Sequence, residues 1–224
     1  MRLGAVADIH GNFDALMAAM TRHADVPLWL CVGDLASRSG LYPEPPAPLY
    51  WIKGNNEQFD LVSAWERGAP QPDNLHLIPN GTAATVGPLR VAGVGGTFAP
   101  TWYDTPAAAL PVRPRDDRRR HFVREEVEAC LRLGTIDVLL THEAARPFVV
   151  TGDEGSRRGR RDAGKPAINQ LLATLRPRLH LCGHHHRFAE MVREGVRSVC
   201  IDRINRSYLL IDAATLEYEL VRQP

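Results

Sequence analysis

The chain has 224 residues, with 27 Lys and Arg against 26 Asp and Glu for a formal net charge of +1. That length supports one sizeable core, and a single domain over 1–224 is the default expectation. The balanced charge supplies no global field that would draw nucleic acid or an anionic membrane surface.

In chain order, the apolar run LGAVA predicts a first strand that ends at Asp8. Residues 12–23 place Phe13, Leu16, Met17 and Met20 at helical spacing, with Asn12 as candidate N-cap. Strands over 28–33 and 49–53 flank the Pro-rich loop 42–48, and 57–67 again reads as helix. This β-α-β-α opening argues for parallel strands that carry ligands at their C-terminal ends. His76 falls in an apparent short strand, NLHLIP, where a structural role is expected. Residues 82–96 read as two short strands around Gly87-Pro88. A third helix is predicted over 121–133, with Phe122, Val123, Val127, Cys130 and Leu131 on one face. A strand at 136–140, a helix from Lys165 to Leu175 and a strand at 179–182 follow. The tail alternates as strands separated by Gly195 and by Asp212-Ala213-Ala214. The pattern predicts an α/β fold of two stacked sheets with helices outside. Two stretches, 98–120 and 152–163, fit no compact element and read as long loops of the kind that form lids or lack order.

Cys31, Cys130, Cys182 and Cys200 are widely spaced, with no C-x-x-C pair. Buried free thiols in a reducing compartment account for them. The N-terminus meets a charged motif too early for a signal sequence, and no 18-residue apolar run occurs. A soluble, cytoplasmic protein without membrane contact is expected.

Five polar blocks each end an apolar run: Asp8-Ile9-His10, Gly33-Asp34, Gly54-Asn55-Asn56-Glu57, Thr141-His142-Glu143 and Gly183-His184-His185-His186. Strand ends open onto one edge of a sheet, so these blocks can converge although far apart in sequence. Oxygen and imidazole donors in that mixture suit Mn, Fe, Zn or Co better than Ca or Mg. Seven donors are too many for one tetrahedral ion and about right for two ions sharing a carboxylate.

The wording and order of the blocks resemble the calcineurin-like metallophosphoesterase family: D-x-H, G-D, G-N-[HCN]-[DE], a lone His and G-H-x-H. The resemblance runs from Asp8 to His186 and implies a four-layer αββα sandwich of two mixed sheets flanked by helices. It assigns Asp8, His10 and His186 to a first ion, Asp34 to the bridge, and Asn55, His142 and His184 to a second ion. It implies two divalent ions (Mn first, with Fe, Zn, Co or Ni as alternatives) and a metal-bridging hydroxide as nucleophile. His142 and His184 count among the catalytic residues, as does Asn56. Many family members carry His at the Asn56 position; an amide donates a hydrogen bond but is no general acid near neutral pH. His185 faces away from its neighbours by strand alternation and reads as structural. Glu57 reads as a hydrogen-bonding residue beside the site.

Arginines cluster on the two long loops: Arg113, Arg115, Arg118, Arg119 and Arg120, then Arg157, Arg158, Arg160 and Arg161. Solvated loop charge is the plain reading. The functional one makes Arg118 and Arg119 phosphate contacts, Trp102 and Tyr103 stacking platforms, and His121 a substrate contact. The layout from Gly54 through Glu190 is similar to the catalytic domain of RNA lariat-debranching enzymes, which leans the chemistry toward phosphodiesters. The leading expectation is a phosphodiesterase acting on nucleotide or nucleic-acid phosphodiesters. A nucleotide phosphatase or dinucleoside-polyphosphate hydrolase is the second reading, and a non-catalytic scaffold the third. The sequence leaves the oligomeric state open.

Overall fold

The computed structural model describes residues 1–113, 116–146, 148–150, 161–162, 165–193 and 195–223. In chain order its elements are β1 (Arg2–Val6), α1 (Phe13–Arg22), β2 (Trp29–Cys31), β3 (Leu49–Trp51), α2 (Phe59–Glu66), β4 (Leu75–Leu77), β5 (Thr82–Val86), β6 (Leu89–Val94) and β7 (Thr97–Phe98). There follow β8 (His121–Phe122), α3 (Arg124–Leu131), β9 (Val138–Thr141), β10 (Val149–Val150), β11 (Arg161–Asp162), α4 (Pro166–Leu175), β12 (Leu179–Cys182), β13 (Ala189–Arg193), β14 (Val196–Cys200), β15 (Ser207–Asp212) and β16 (Tyr218–Arg222).

Twelve of these strands form two six-stranded sheets, ordered β16-β15-β1-β2-β3-β4 and β13-β14-β12-β9-β6-β5. In the first, β1 to β4 run parallel, β15 is antiparallel to β1 and β16 is antiparallel to β15. In the second, β14, β12, β9 and β6 are parallel with antiparallel strands at both edges. Side chains of period two decide the layers. Leu3, Ala5, Leu30, Val32 and Ile52 meet Val91, Val138, Leu140, Leu181 and Val199 between the sheets. The alternate residues Val6, Trp29, Cys31 and Trp51 pack outward against Leu16, Ala19 and Met20 of α1 and Val62 and Trp65 of α2. On the other side Ala92, Val94 and Leu139 pack against Val127 and Cys130 of α3 and Ile168, Leu171 and Leu175 of α4. The result is the expected αββα order. Strands buried on both faces read as continuous apolar runs, which is why LWLCV and IDVLL were recognisable as strands.

Three local expectations change. His121 does not open a helix: it pairs in β8 with Thr97 of β7, and α3 starts at Arg124. Val123 is extended there, and its N–H donates to the Glu126 carboxylate at 2.9 Å, which sets the helix start. The second helix begins at Phe59, because Gln58 Oε1 accepts the Asp60 N–H at 3.1 Å while Glu57 turns into the loop. Asn12 occupies the N-cap position of α1 without a side-chain cap bond. The 98–120 stretch carries two 3₁₀ turns, Ala107–Ala109 and Arg118–Arg120. Of the 152–163 stretch, Arg161–Asp162 pairs with Val149–Val150, and the rest lies outside the described residues. The four cysteines are free and buried. No helix is long and apolar enough to cross a membrane among the described residues.

Candidate metal centre

Strand polarity puts the five blocks together. Asp8, Asp34 and Asn55 follow the adjacent strands β1, β2 and β3 at their C-terminal ends. His142 and His184 follow the adjacent strands β9 and β12 of the other sheet. Two glycines make room for this convergence. A Cβ on Gly54 would land on the Asp34 carboxylate, and one on Gly33, whose φ is +102°, would come within 2.7 Å of His142 Nδ1. Asp8, His10, Asp34, His184 and His186 have φ between 49° and 68°. That left-handed backbone costs non-glycine residues about 1–3 kcal/mol each and is kept where function or packing demands it.

Asp8, His10, Asp34 and His186 each offer a ligand atom, all within 4.8 Å of one another. His10 Nε2 and His186 Nε2 face each other at 3.1 Å, and Asp8 Oδ1, buried, has no hydrogen-bond partner among the described residues. The other carboxylate oxygen of Asp8 is fixed by the His184 N–H at 2.9 Å. In the second group, His142 is fully buried. Its Nδ1 lies 2.8 Å from the Val32 carbonyl. A carbonyl only accepts, so Nδ1 carries a proton, and in the neutral ring Nε2 keeps a lone pair; burial lowers the pKa of this ring, but the Asp34 and Asp8 carboxylates outweigh it and raise it. That lone pair faces Asn55 Oδ1 at 3.0 Å and Asp34 Oδ1 at 3.5 Å. The His184 ring lies 5.0 Å from the His142 ring, centroid to centroid. Acceptors turned toward acceptors are stable only with a proton or a cation between them. Burial, reinforced by the neighbouring His142, pushes the His184 pKa down to about 4, so its ring is neutral and available as a ligand at pH 7. The donor set and its unpartnered oxygen therefore fit divalent ions, and neither group alone contains all seven donors.

Supporting residues complete the edge. The Glu57 carboxylate accepts the N–H groups of Leu35, Ala36 and Gly54 at 3.0–3.1 Å and the Tyr42 hydroxyl, tying the Asp34 turn to the Asn55 turn. Burial, with Asp34 nearby, pushes its pKa up to about 7. Asn56 donates its backbone N–H and its Nδ2 to the two Asp34 oxygens, both at 2.8 Å. Its amide is thus spent on holding Asp34, although the residue lines the cleft. Buried Glu143, to which the motifs assign no role, accepts the Phe98 N–H, pairs with Lys165 at 3.4 Å and lies 3.9 Å from His184 Nε2. His185 is half-buried against His184. Exposed His76 stacks on Tyr50, away from the site.

A cleft of about 1270 Å³ opens over the strand ends, with Asp8, His10, Asn55 and Asn56 on its floor. Several expected substrate contacts do not reach it. Tyr103 is buried against Phe98 and Phe122 with Arg124 over its ring. Arg118 pairs with Asp116 and lies over Trp102, so both are occupied outside the cleft. Buried His121 bonds Thr97 Oγ1 at 3.0 Å, and burial lowers its pKa. Arg119 does line the cleft, yet Asp117 and Asp60 hold its guanidinium. These carboxylates were visible in sequence, since Asp116-Asp117 immediately precede the Arg run. Arg113 lines the cleft; Arg115, Arg157, Arg158 and Arg160 lie outside the described residues. Arg38, Arg203 and Asn205 also line it, and no local motif marks them.

A family model described as calcineurin-like phosphoesterase matches residues 1–188. A lariat debranching enzyme of Schizosaccharomyces pombe is 24% identical over 203 residues, covering 84% of this chain; the match spans 44% of that enzyme's length. One solved structure superimposes over 100% of the chain at TM-score 0.73 and 13% identity, covering 99% of its partner. TT1561 of Thermus thermophilus does so over 99% of this chain and 98% of its own at TM-score 0.67 and 14% identity. At those identities the two structures speak for the fold alone. The matched model covers all five blocks and most of the chain, and the protein belongs to the calcineurin-like phosphoesterase family.

Proposed function

We propose that the protein is a metal-dependent phosphodiesterase acting on nucleotide or nucleic-acid phosphodiesters. Asp8, His10 and His186 would hold one ion and Asn55, His142 and His184 the other, with Asp34 placed to serve both. The single observation that carries this reading is the convergence of ligand atoms at the strand ends: Asp8, His10, Asp34 and His186 each bring one within 4.8 Å of the others, and the buried Asp8 Oδ1 has no hydrogen-bond partner among the described residues. Bound divalent ions supply Lewis acidity and a water acidified enough to attack at neutral pH.

The chain's own groups do the rest. Asp34 brings the negative charge that lets two cations stay close, and Asn56 holds both its oxygens in place. The Val32 carbonyl holds the Nδ1–H of His142, so Nε2 is the nitrogen turned toward Asp34 and Asn55. Asn55 contributes a neutral oxygen, which leaves its ion more electrophilic than a carboxylate would. An amide at Asn56 cannot protonate a leaving oxygen, so good leaving groups are favoured over poor ones. The similarity to a lariat debranching enzyme and the open cleft favour a diester with substituents on both sides over a compact monoester.

The test is hydrolysis of bis-p-nitrophenyl phosphate and p-nitrophenyl phosphate by protein loaded with Mn. We expect the diester to be turned over with the higher kcat/KM. A monoester preference would move the protein to the nucleotide phosphatases, and hydrolysis unaffected by chelation would reject the metal mechanism.

A further inference from the structure

Among the described residues, five arginines line the cleft: Arg38, Arg113, Arg119, Arg120 and Arg203. Two of them are already neutralised, Arg119 by Asp117 and Asp60 and Arg120 by Asp116 at 2.7 Å. Among the described residues, Arg38, Arg113 and Arg203 have no carboxylate at ion-pair distance. The carboxylates on the cleft wall are otherwise engaged. Glu57 takes three backbone N–H groups, Asp60 and Asp117 take Arg119, and Asp8 belongs to the metal cluster. The cleft therefore presents three guanidinium groups with no carboxylate partner among the described residues, within a molecule whose net charge is only +1.

Arg203 is the best placed of the three. It sits in the turn between β14 and β15, which lies against the Asp8 turn because the Ile204 N–H donates to the Ala7 carbonyl at 3.1 Å. The turn is closed by the N–H groups of Arg206 and Ser207, at 2.8 and 3.2 Å from the Arg203 carbonyl. The Arg206 guanidinium reaches the His186 carbonyl at 3.4 Å. The backbone of Arg203 is thus fixed to the turns carrying Asp8 and His186 while its side chain stays exposed. Asn205 is beside it on the cleft wall, with no side-chain hydrogen bond among the described residues. On the far side of His10, a closed turn holds Arg38: the Gly40 N–H reaches the Ser37 carbonyl at 2.9 Å and the Leu41 N–H reaches Ser37 Oγ at 3.0 Å. The cleft thus follows the sheet order. The Arg203 turn lies beside β1, His10 follows β1, Arg38 follows β2 and Asn55 follows β3, at about 4.8 Å per strand.

We propose that Arg203 and Asn205 form a subsite for a second phosphate adjacent to the scissile one, so that the substrate is a phosphate-linked chain and not an isolated diester. The proposal rests on the phosphodiesterase reading for what happens at the strand ends. It adds that the cleft recognises a neighbouring phosphate through bidentate guanidinium contact. Two sources share this chemistry: successive phosphodiesters of an oligonucleotide, and the phosphate run of a dinucleoside polyphosphate.

The experiment compares a 5′-phosphorylated dinucleotide with the same dinucleotide lacking that phosphate, and adds a dinucleoside tetraphosphate, using Mn-loaded wild type, Arg203→Ala, Arg203→Lys and Arg132→Ala. Arg132, after α3 and outside the cleft, controls for lost charge. Binding of fluorescently labelled forms of the same three probes to metal-free protein is measured in parallel at several salt concentrations. The wild type should prefer the phosphorylated dinucleotide about tenfold or more, the expected effect of one charged hydrogen-bonding contact. The preference should fall toward one in Arg203→Ala, recover partly in Arg203→Lys and persist in Arg132→Ala. The salt dependence of binding should flatten in step. A preference confined to the tetraphosphate, lost in the same variant, would support the subsite and identify the polyphosphate source. An unaltered preference in Arg203→Ala, or equal loss on all three substrates, would overturn it. If no substrate is hydrolysed but the binding preference still collapses in Arg203→Ala, the reaction is wrongly assigned and the subsite stands.

Discussion

At the strand ends, His10 and His186 turn ring nitrogens toward each other at 3.1 Å, and Asp8 Oδ1 is buried with no hydrogen-bond partner among the described residues. In the 98–120 segment, by contrast, Arg118, Arg119 and Arg120 all end on Asp116, Asp117 or Asp60. Both regions are polar, and in sequence the arginine run looks the more eager to bind phosphate. The difference lies in satisfaction. Guanidinium groups already paired inside the chain must lose those contacts before meeting a ligand, whereas imidazole nitrogens and carboxylate oxygens crowded at the strand ends gain from any cation placed between them. An incompletely satisfied cluster held in strained backbone is the better indicator of a site than the number of charges.

This contrast can be broken at either end. The largest effect should come from His142→Ala, which removes the Nε2 acceptor facing Asn55 and Asp34. Diester kcat/KM should fall by about 100-fold or more with the fold intact by circular dichroism. Activity within a few-fold of wild type would place the second ion elsewhere. Next is Glu57→Gln. One amide oxygen cannot replace a carboxylate that accepts three N–H groups and a hydroxyl, so metal affinity should drop about 10–100-fold in calorimetric titrations. Unchanged affinity would mean that the Asp34 and Asn55 turns are held without it. Asn56→Ala should cost about tenfold in kcat/KM, through release of the Asp34 carboxylate. A loss larger than that of His142→Ala would instead argue for direct substrate contact. The smallest effect belongs to Arg118→Ala: kcat/KM should move less than about twofold, because its partners Asp116 and Trp102 lie outside the cleft floor. A large rise in KM there would restore the arginine run to the substrate.

The strand-end centre was legible because each candidate ligand must follow its strand immediately. Asp8 after LGAVA and His184 after LHLC are local facts that survive without coordinates. The first two helices and the hairpin 82–96 were legible for the same reason, through periodicity. The substrate-side expectations fared differently. Tyr103 and His121 became buried because β7 and β8 pair, a contact between residues 24 apart that no local pattern announces. Arg203 came into view only because β15 runs antiparallel beside β1, which brings the preceding turn to Ala7. Asn56 is expected among the catalytic residues, but its bonds to Asp34 depend on the approach of two turns across adjacent strands. Residues placed by strand polarity are readable in sequence, and residues placed by turn-to-turn contact are not.

The most direct test of the central claim is the metal content of purified wild type and Asp34→Asn, measured by mass spectrometry on the samples used for bis-p-nitrophenyl phosphate kinetics. Asp34 lies 3.5 Å from His10 and from His142 through its two oxygens, the position of a carboxylate shared between both groups. About two ions per wild-type chain are expected, with both content and kcat/KM falling steeply in Asp34→Asn. Two ions and a near wild-type rate in Asp34→Asn would contradict the central claim.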